Sequence, residues 1–464
     1  MINSDRHPFG WRSWYLGDCM KRWLILFLLL TLLFSGCKKS YYETYLKEQE
    51  KKQETQAQIW FYGDSADNFK QKIEFYNNYY DPDITIVEFK ESEWDLTQFQ
   101  TKLQAKIMSG SGPDLIYSQY EIVLTDVYKS VQAGAFQSFD DIISDWDTSK
   151  YFTQTIEACR HTDGKLYVFP LSVDMHGIVT TEENLKAYDL TLENFSDFET
   201  TLDTLLRLWE ECDGSPDRVA NSDMPPLYLA IPEIFDYANG CTALGTDSVN
   251  RLLQKFESVR DYQKANDRCY NSIWYVDGVP CITNTSPEYR DILSGKQILE
   301  VTSTSVAYTS PLYFDGTTVV PPTKEDLQKI VFIPLRNTKG DWMGEVDAYL
   351  LFPAQSKHRE TVENLLEVLM FDTLNIASYM ISPSKAHTSI DLSKYIKLNE
   401  AATPLSESGF ATLADVHTFM ETPMTLTAVT QLHEECELSI RTRTDKGDFE
   451  LGDLKRELNL YLSE

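Results

Sequence analysis

Residues 59–117 read IWFYGDSADNFKQKIEFYNNYYDPDITIVEFKESEWDLTQFQTKLQAKIMSGSGPDLIY. Ile59-Trp60-Phe61-Tyr62 is a short continuous apolar run that stops at Gly63-Asp64, the pattern of a strand covered on both faces. Phe69, Ile73, Tyr76 and Tyr80 then recur at the spacing of a helix with one apolar face. Pro82 blocks that helix, and Ile84-Thr85-Ile86-Val87-Glu88-Phe89 makes a second strand. Leu96, Phe99, Leu103 and Ile107 form another helical stripe, ended by Ser109-Gly110-Ser111-Gly112-Pro113, and Leu115-Ile116-Tyr117 is the third strand. The order β-α-β-α-β generates a parallel sheet with helices on both faces, an α/β fold. Ligands of such sheets bind beyond the carboxyl ends of the strands. Here those ends are Gly63-Asp64 and Ser118-Gln119-Tyr120-Glu121.

Working outward, the chain has 464 residues, 42% of them hydrophobic and 24% charged, which excludes wholesale disorder and a polytopic membrane protein. That length leaves room for two or three domains. A formal net charge of −29 argues against nucleic acid, whose phosphates need a basic face. The 9 Trp, 26 Tyr and 23 Phe make 12% of the chain aromatic, enough to line a stacking surface as well as a core.

Toward the N-terminus, Trp23 to Phe34 is an apolar run preceded by Lys21-Arg22, too short to span a bilayer and suited to a signal-peptide core. Met20 begins a better signal than Met1 does. Leu33-Phe34-Ser35-Gly36-Cys37 resembles a bacterial lipobox, which implies that Cys37 is lipidated and becomes the mature N-terminus. Residues 1–36 are then a signal peptide, and 37–57 the lipid anchor and a polar tether without Gly or Pro. Removing the leader takes away more basic than acidic residues. The acidic body is repelled by an anionic membrane surface, so the lipid must do the tethering.

The remaining cysteines, Cys159, Cys212, Cys241, Cys269, Cys281 and Cys436, show no metal-ligand spacing, and they read mainly as small hydrophobes. Cys269 and Cys281 are the closest pair should a disulfide form. His433-Glu434-Glu435-Cys436 looks metal-like but reads as coincidence on an exposed acidic helix. Gly110-Ser111-Gly112 lacks the third glycine of a dinucleotide fingerprint and precedes a strand, and no P-loop, GxSxG or HExxH occurs. No metal, nucleotide or other cofactor is expected.

Four stretches, in order, resemble the sugar-binding type of bacterial extracellular solute-binding proteins, the family of the maltose-binding protein. They are Leu103 to Ile116 with Pro113-Asp114, then Asp163-Gly164-Lys165-Leu166-Tyr167-Val168-Phe169-Pro170 followed by Asn184-Leu185. Gly295-Lys296-Gln297-Ile298 comes third, and Val346 to Pro353 with Ser356-Lys357-His358 fourth. The chain departs from the family at Thr302-Ser303-Thr304-Ser305, where many relatives carry an aromatic turn and where Tyr308 is the nearest ring. The resemblance implies two hinged α/β lobes, each a mainly parallel sheet with helices on both faces. Lobe one takes residues 58–173 plus 331–375, and lobe two 174–330 plus 376–464. It places crossings near Val173-Asp174, near Phe332-Ile333-Pro334 and within 372–378.

The implied function is a monomeric surface lipoprotein that captures a sugar or oligosaccharide and passes it to the permease subunits of an ABC importer. A sugar offers hydroxyls to carboxylates and amides, and flat C–H faces to rings. The candidate contacts are Tyr62, Asp64, Ser118, Gln119, Tyr120 and Glu121 from lobe one. Asp174, Trp274, Ser305, Tyr308, Trp342, Glu345 and Asp347 join them from lobe two and the crossings. Asp64 reads equally well as a helix cap, Asp114 as a residue that fixes its loop, and Trp274 as packing. Other classes stay open. Paired carboxylates about 5–9 Å apart, one with a raised pKa, hydrolyse glycosides; the same fold also serves receptors or adhesins and takes peptides, polyamines or metal complexes.

Overall fold

The structure is a computed structural model. It describes residues 56–464 apart from 64–66, 81–83, 91–94, 120–122, 213–218, 220–223, 265–273, 277–278, 282–288, 305–312, 315–318, 321–328, 372–381, 386–410, 413–419, 421 and 423. Residues 57–464 form one unit, which carries everything below. The signal, lipobox and tether expectations therefore lie outside the described residues, as do Cys269 and the 372–378 crossing. Among the described residues no helix is long and apolar enough to cross a membrane.

The opening β-α-β-α-β forms as the sequence reads. β1 (Ala57–Tyr62), β2 (Ile84–Phe89) and β3 (Leu115–Gln119) lie in the order β2-β1-β3, both pairings parallel, with helices Asp67–Tyr79 and Leu96–Met108 between them. Every β1 side chain is buried because both faces are covered. Ile59 and Phe61 enter one core with Phe69, Ile73 and Tyr76 of the first helix. On the opposite face Trp60 meets Phe89 at 5.0 Å between ring centroids, and Tyr62 stacks on Phe99 of the second helix at 5.1 Å.

Beyond β3 the chain threads a long strand, β4 (Val168–Thr181), then β5 (Trp274–Val276), β6 (Val279–Cys281), β7 (Leu299–Ser303), β8 (Tyr313–Phe314) and β9 (Val319–Val320). β10 (Ile330–Pro334), β11 (Trp342–Leu351), β12 (Ala411–Thr412) and β13 (Met424–Thr427) follow. β5 pairs with β6, and β8 with β9, as separate two-stranded ribbons. β4 changes partners along its length. Residues 168–173 pair with β11, whereas 176–180 pair with β7 and 177–181 with β10, all antiparallel. The parallel character expected of each sheet thus holds for β2-β1-β3 and β11-β13, while the described pairs around β4 are antiparallel. The physical reason is that β4 lies in the middle of one nine-stranded sheet, and its neighbours run back against it.

The change of partner is packed too tightly for side chains. A Cβ on Gly344 of β11 would lie 2.8 Å from the Asp174 carbonyl and 2.7 Å from Met175 Sδ. A Cβ on Gly177 would lie 2.2 Å from Cζ of the Phe332 ring. These two glycines admit close strand approach rather than unusual dihedrals.

On either side of this crossing lies a hydrophobic cluster. One joins β1, β3, Phe139, Phe169, Leu350 and the inner face of helix Arg359–Phe371. The other gathers Leu202, Leu205 and Trp209 of helix Phe198–Glu211, Leu253 and Phe256 of helix Asp247–Lys264, and the C-terminal helices Gln431–Thr444 and Gly452–Ser463.

His433 and Cys436 correct one expectation. They are 2% and 4% exposed, turned into the protein rather than displayed on an acidic surface, while Glu434 and Glu435 are exposed. His433 Nδ1 is taken up by Thr430 in a capping box, and burial pushes its pKa down to about 3, so the ring is neutral.

Candidate functional site

The motif stretches owe their composition to structure before function. Asp114 is buried, and its carboxylate accepts the Gln58 amide at 2.9 Å, the Ser356 hydroxyl at 2.8 Å and the Lys357 amide at 3.1 Å. One side chain therefore ties β1, the start of β3 and the loop after β11, the loop-fixing role expected of it. Asn184 Nδ2 lies within hydrogen-bond distance of the carbonyls of Ile292, Gln297 and Ile298, so the second motif holds the third in place. Asp163 closes the turn of its segment by accepting the Lys165 amide at 3.0 Å.

The polar side chains gather where β4 changes partners. Alternation along a strand puts Ser172, Asp174 and His176 on one face of β4 and Glu345 and Asp347 on one face of β11. The β4–β11 register slips between Val346 and Ala348, placing Asp347 in a bulge, a feature that redirects a side chain. Asp347 Oδ2 accepts the Ser172 hydroxyl at 2.7 Å and the Gln119 amide at 3.3 Å. Asp174 is buried and accepts the Thr304 hydroxyl at 2.7 Å, while Thr304 Oγ1 in turn accepts the Met175 amide at 3.0 Å. His176 Nε2 stands 3.4 Å from Glu345 Oε1, an ion-pair distance without hydrogen-bond geometry.

Electrostatics follow from this crowding. Burial pushes the Asp347 carboxyl up to about 6, helped by the charges of Asp174 and Glu345 and opposed by the bonds from Ser172 and Gln119. Burial pulls the His176 pKa down, but the carboxylates of Glu345 and Asp174 overcome it and leave the pKa raised. Burial also raises the Tyr228 hydroxyl, with the Glu345 charge next in effect, which places that ring in the field of the same group. The set is rich in oxygens that accept hydrogen bonds. Near pH 6 Asp347 also offers a proton of its own.

Of the expected contacts, the structure brings together Gln119, Asp174, Glu345 and Asp347. Ser118 is buried on the neighbouring strand and bonds the Tyr349 hydroxyl. Trp342 is half-buried with the Arg336 guanidinium 5.8 Å from its ring centroid. Tyr62 is committed to its stack on Phe99. Trp274 opens β5, its side chain outside the described residues along with Asp64, Tyr120, Glu121, Ser305 and Tyr308. Sequence reasoning missed Ser172, His176, Thr304 and Tyr228. The first two were readable from period two around Asp174, whereas Thr304 and Tyr228 arrive from distant segments. Among the described residues no group of three His, Cys, Asp or Glu side chains is placed to hold a metal ion.

No protein-family model matches the sequence, and no curated protein does. Solved structures do match. The sugar-binding protein MalE from Xanthomonas citri aligns at a TM-score of 0.54 and 14% identity, over 88% of this chain and 98% of that one. The extracellular solute-binding protein family 1 from Alicyclobacillus acidocaldarius aligns at 0.52 and 13%, over 88% and 98%. The cyclic α-maltosyl-1,6-maltose binding protein from Arthrobacter globiformis aligns at 0.50 and 13%, over 88% and 99%. At such identities the likeness is one of architecture, and it spans nearly the whole of each relative: the chain has the α/β fold of the two-lobed extracellular solute-binding proteins.

Proposed function

We propose that the protein is an exported, lipid-anchored receptor that captures a carbohydrate and delivers it to the permease of an ABC importer. In this reading residues 58–173 plus 331–375 form lobe one, and 174–330 plus 376–464 lobe two. The ligand sits between them against the β4–β11 junction. The observation that carries the reading is the acceptor set there: Asp174, Glu345 and Asp347 with Gln119, Ser172 and His176. Adjacent hydroxyls of a sugar donate into such carboxylates, and hydrogen bonds to charged groups in a desolvated cleft are the strong ones. Capture is by hinge closure, as a monomer, without turnover and without a cofactor.

The test is a thermal-shift screen of the purified protein against sugars, peptides and polyamines. A ligand that binds only the folded state at 100 times its dissociation constant adds about 2.7 kcal/mol of stability. A stabilising sugar supports the reading. Stabilisation by peptides or polyamines alone rejects the ligand class, and glycoside turnover lost in Asp347→Asn replaces the receptor by an enzyme.

A further inference from the structure

Asp126 stands outside this polar set and is only 4% exposed. Its Oδ1 caps helix Val127–Gln132 by accepting the amides of Tyr128 at 2.8 Å and Lys129 at 3.2 Å. Its Oδ2 accepts two hydroxyls, from Tyr237 at 3.1 Å and from Tyr461 at 2.8 Å. Both of those rings pack on the cluster that holds the C-terminal helices. The residues after the capped helix belong to the other side. The Gln137 amide donates to the Phe352 carbonyl and the Ala354 amide to the Ala135 carbonyl, both at 2.9 Å, and Phe352 lies in the β1–β3 cluster. One carboxylate therefore joins the two halves of the fold.

Other contacts cross at the same place. The Ala428 amide donates to the Tyr128 hydroxyl at 3.1 Å, and the Leu432 amide to the Thr125 carbonyl at 3.2 Å. Tyr128 stacks on Tyr237 at 4.9 Å, and the Lys129 ammonium lies 5.3 Å from the Tyr461 ring centroid. Contacts of this kind position the halves. The carboxylate with two phenol donors is the strongest bond among them.

We propose that Asp126 is a latch: by holding the Tyr237 and Tyr461 hydroxyls together it keeps the two halves closed, and they part only when it releases both. Released, the carboxylate is met by water, so opening costs the two bonds and the contacts beside them without unfolding either core. The latch rests on the two-lobed reading of the fold and on no particular ligand.

Hydrogen–deuterium exchange of the full chain tests it in the absence of any ligand, which separates its outcome from the carbohydrate reading. The Tyr237→Phe/Tyr461→Phe double variant keeps both rings and the helix cap. The amides of 126–132 and 428–433 are expected to exchange at least about tenfold faster, with those of β1 and β7, one strand from each half, unchanged. Tyr461→Phe alone should give a smaller acceleration at the same amides. Unchanged exchange at 126–132 and 428–433 in the double variant overturns the latch. So does an equal acceleration in β1 and β7, because the hydroxyls would then serve general stability alone.

Discussion

Asp347 and Asp114 are two carboxylates that the fold uses differently. The Asp347 carboxyl is raised to about 6, so its neutral form is the one the fold favours. That contribution is complete below the ordinary carboxylate range, near pH 4, and is lost as the pH rises through about 6. Asp347→Asn keeps acceptors for Ser172 and Gln119 without the charge. It should therefore be more stable than the parent at pH 7.5, by about 1–3 kcal/mol, and equal to it at pH 4. Urea denaturation at the two pH values checks this; a variant less stable at pH 7.5 would refute the burial argument. Asp114 matters through its bonds, because its carboxylate accepts from Gln58, Ser356 and Lys357. Asp114→Ala strands three donors and should cost at least about 2 kcal/mol, read as a fall in melting temperature. Asp114 was legible because an Asp after Pro at the mouth of a strand has a local job. Period two likewise puts Tyr62 at a strand end, where its ring stacks on Phe99.

At the scale of elements, the opening β-α-β-α-β was readable nearly to the residue because each strand is a dense apolar run and each helix a clean stripe. The central strand was not. Phe169 to Thr181 is continuous enough to read as a strand, but nothing local tells that its first half pairs with β11 and its second with β7 and β10. That information resides in residues more than a hundred positions away. Thr304 and Tyr228 escaped for the same cause, reaching the site only through tertiary packing. Two glycines carry the exchange of partners. Gly344→Ala forces a methyl against the Asp174 carbonyl and Met175 and should cost about 1–3 kcal/mol. Because the Asp174 backbone has to give way, the variant should also weaken ligand binding, which a Gly452→Ala control, exposed and with nothing near its Cβ, should not. Equal binding by the Gly344 variant would separate the crossing from the site.

At the scale of the molecule, a chain of net charge −29 is expected, on the proposed reading, to depend on lipid for a place at the membrane. Cys37→Ser should move the protein from the membrane fraction to the soluble one, and a variant that stays bound after a salt wash would mean the apolar run at 23–34 is itself the anchor. The proposed activity is capture of a carbohydrate at the β4–β11 junction. Isothermal titration calorimetry with the sugar selected by the stability screen tests it most directly, on the parent protein and on Asp347→Asn and Glu345→Gln. The account predicts one site per chain, with affinity falling at least about tenfold, or 1.4 kcal/mol, in each variant. Undiminished affinity in both variants, with their folds intact, would contradict it.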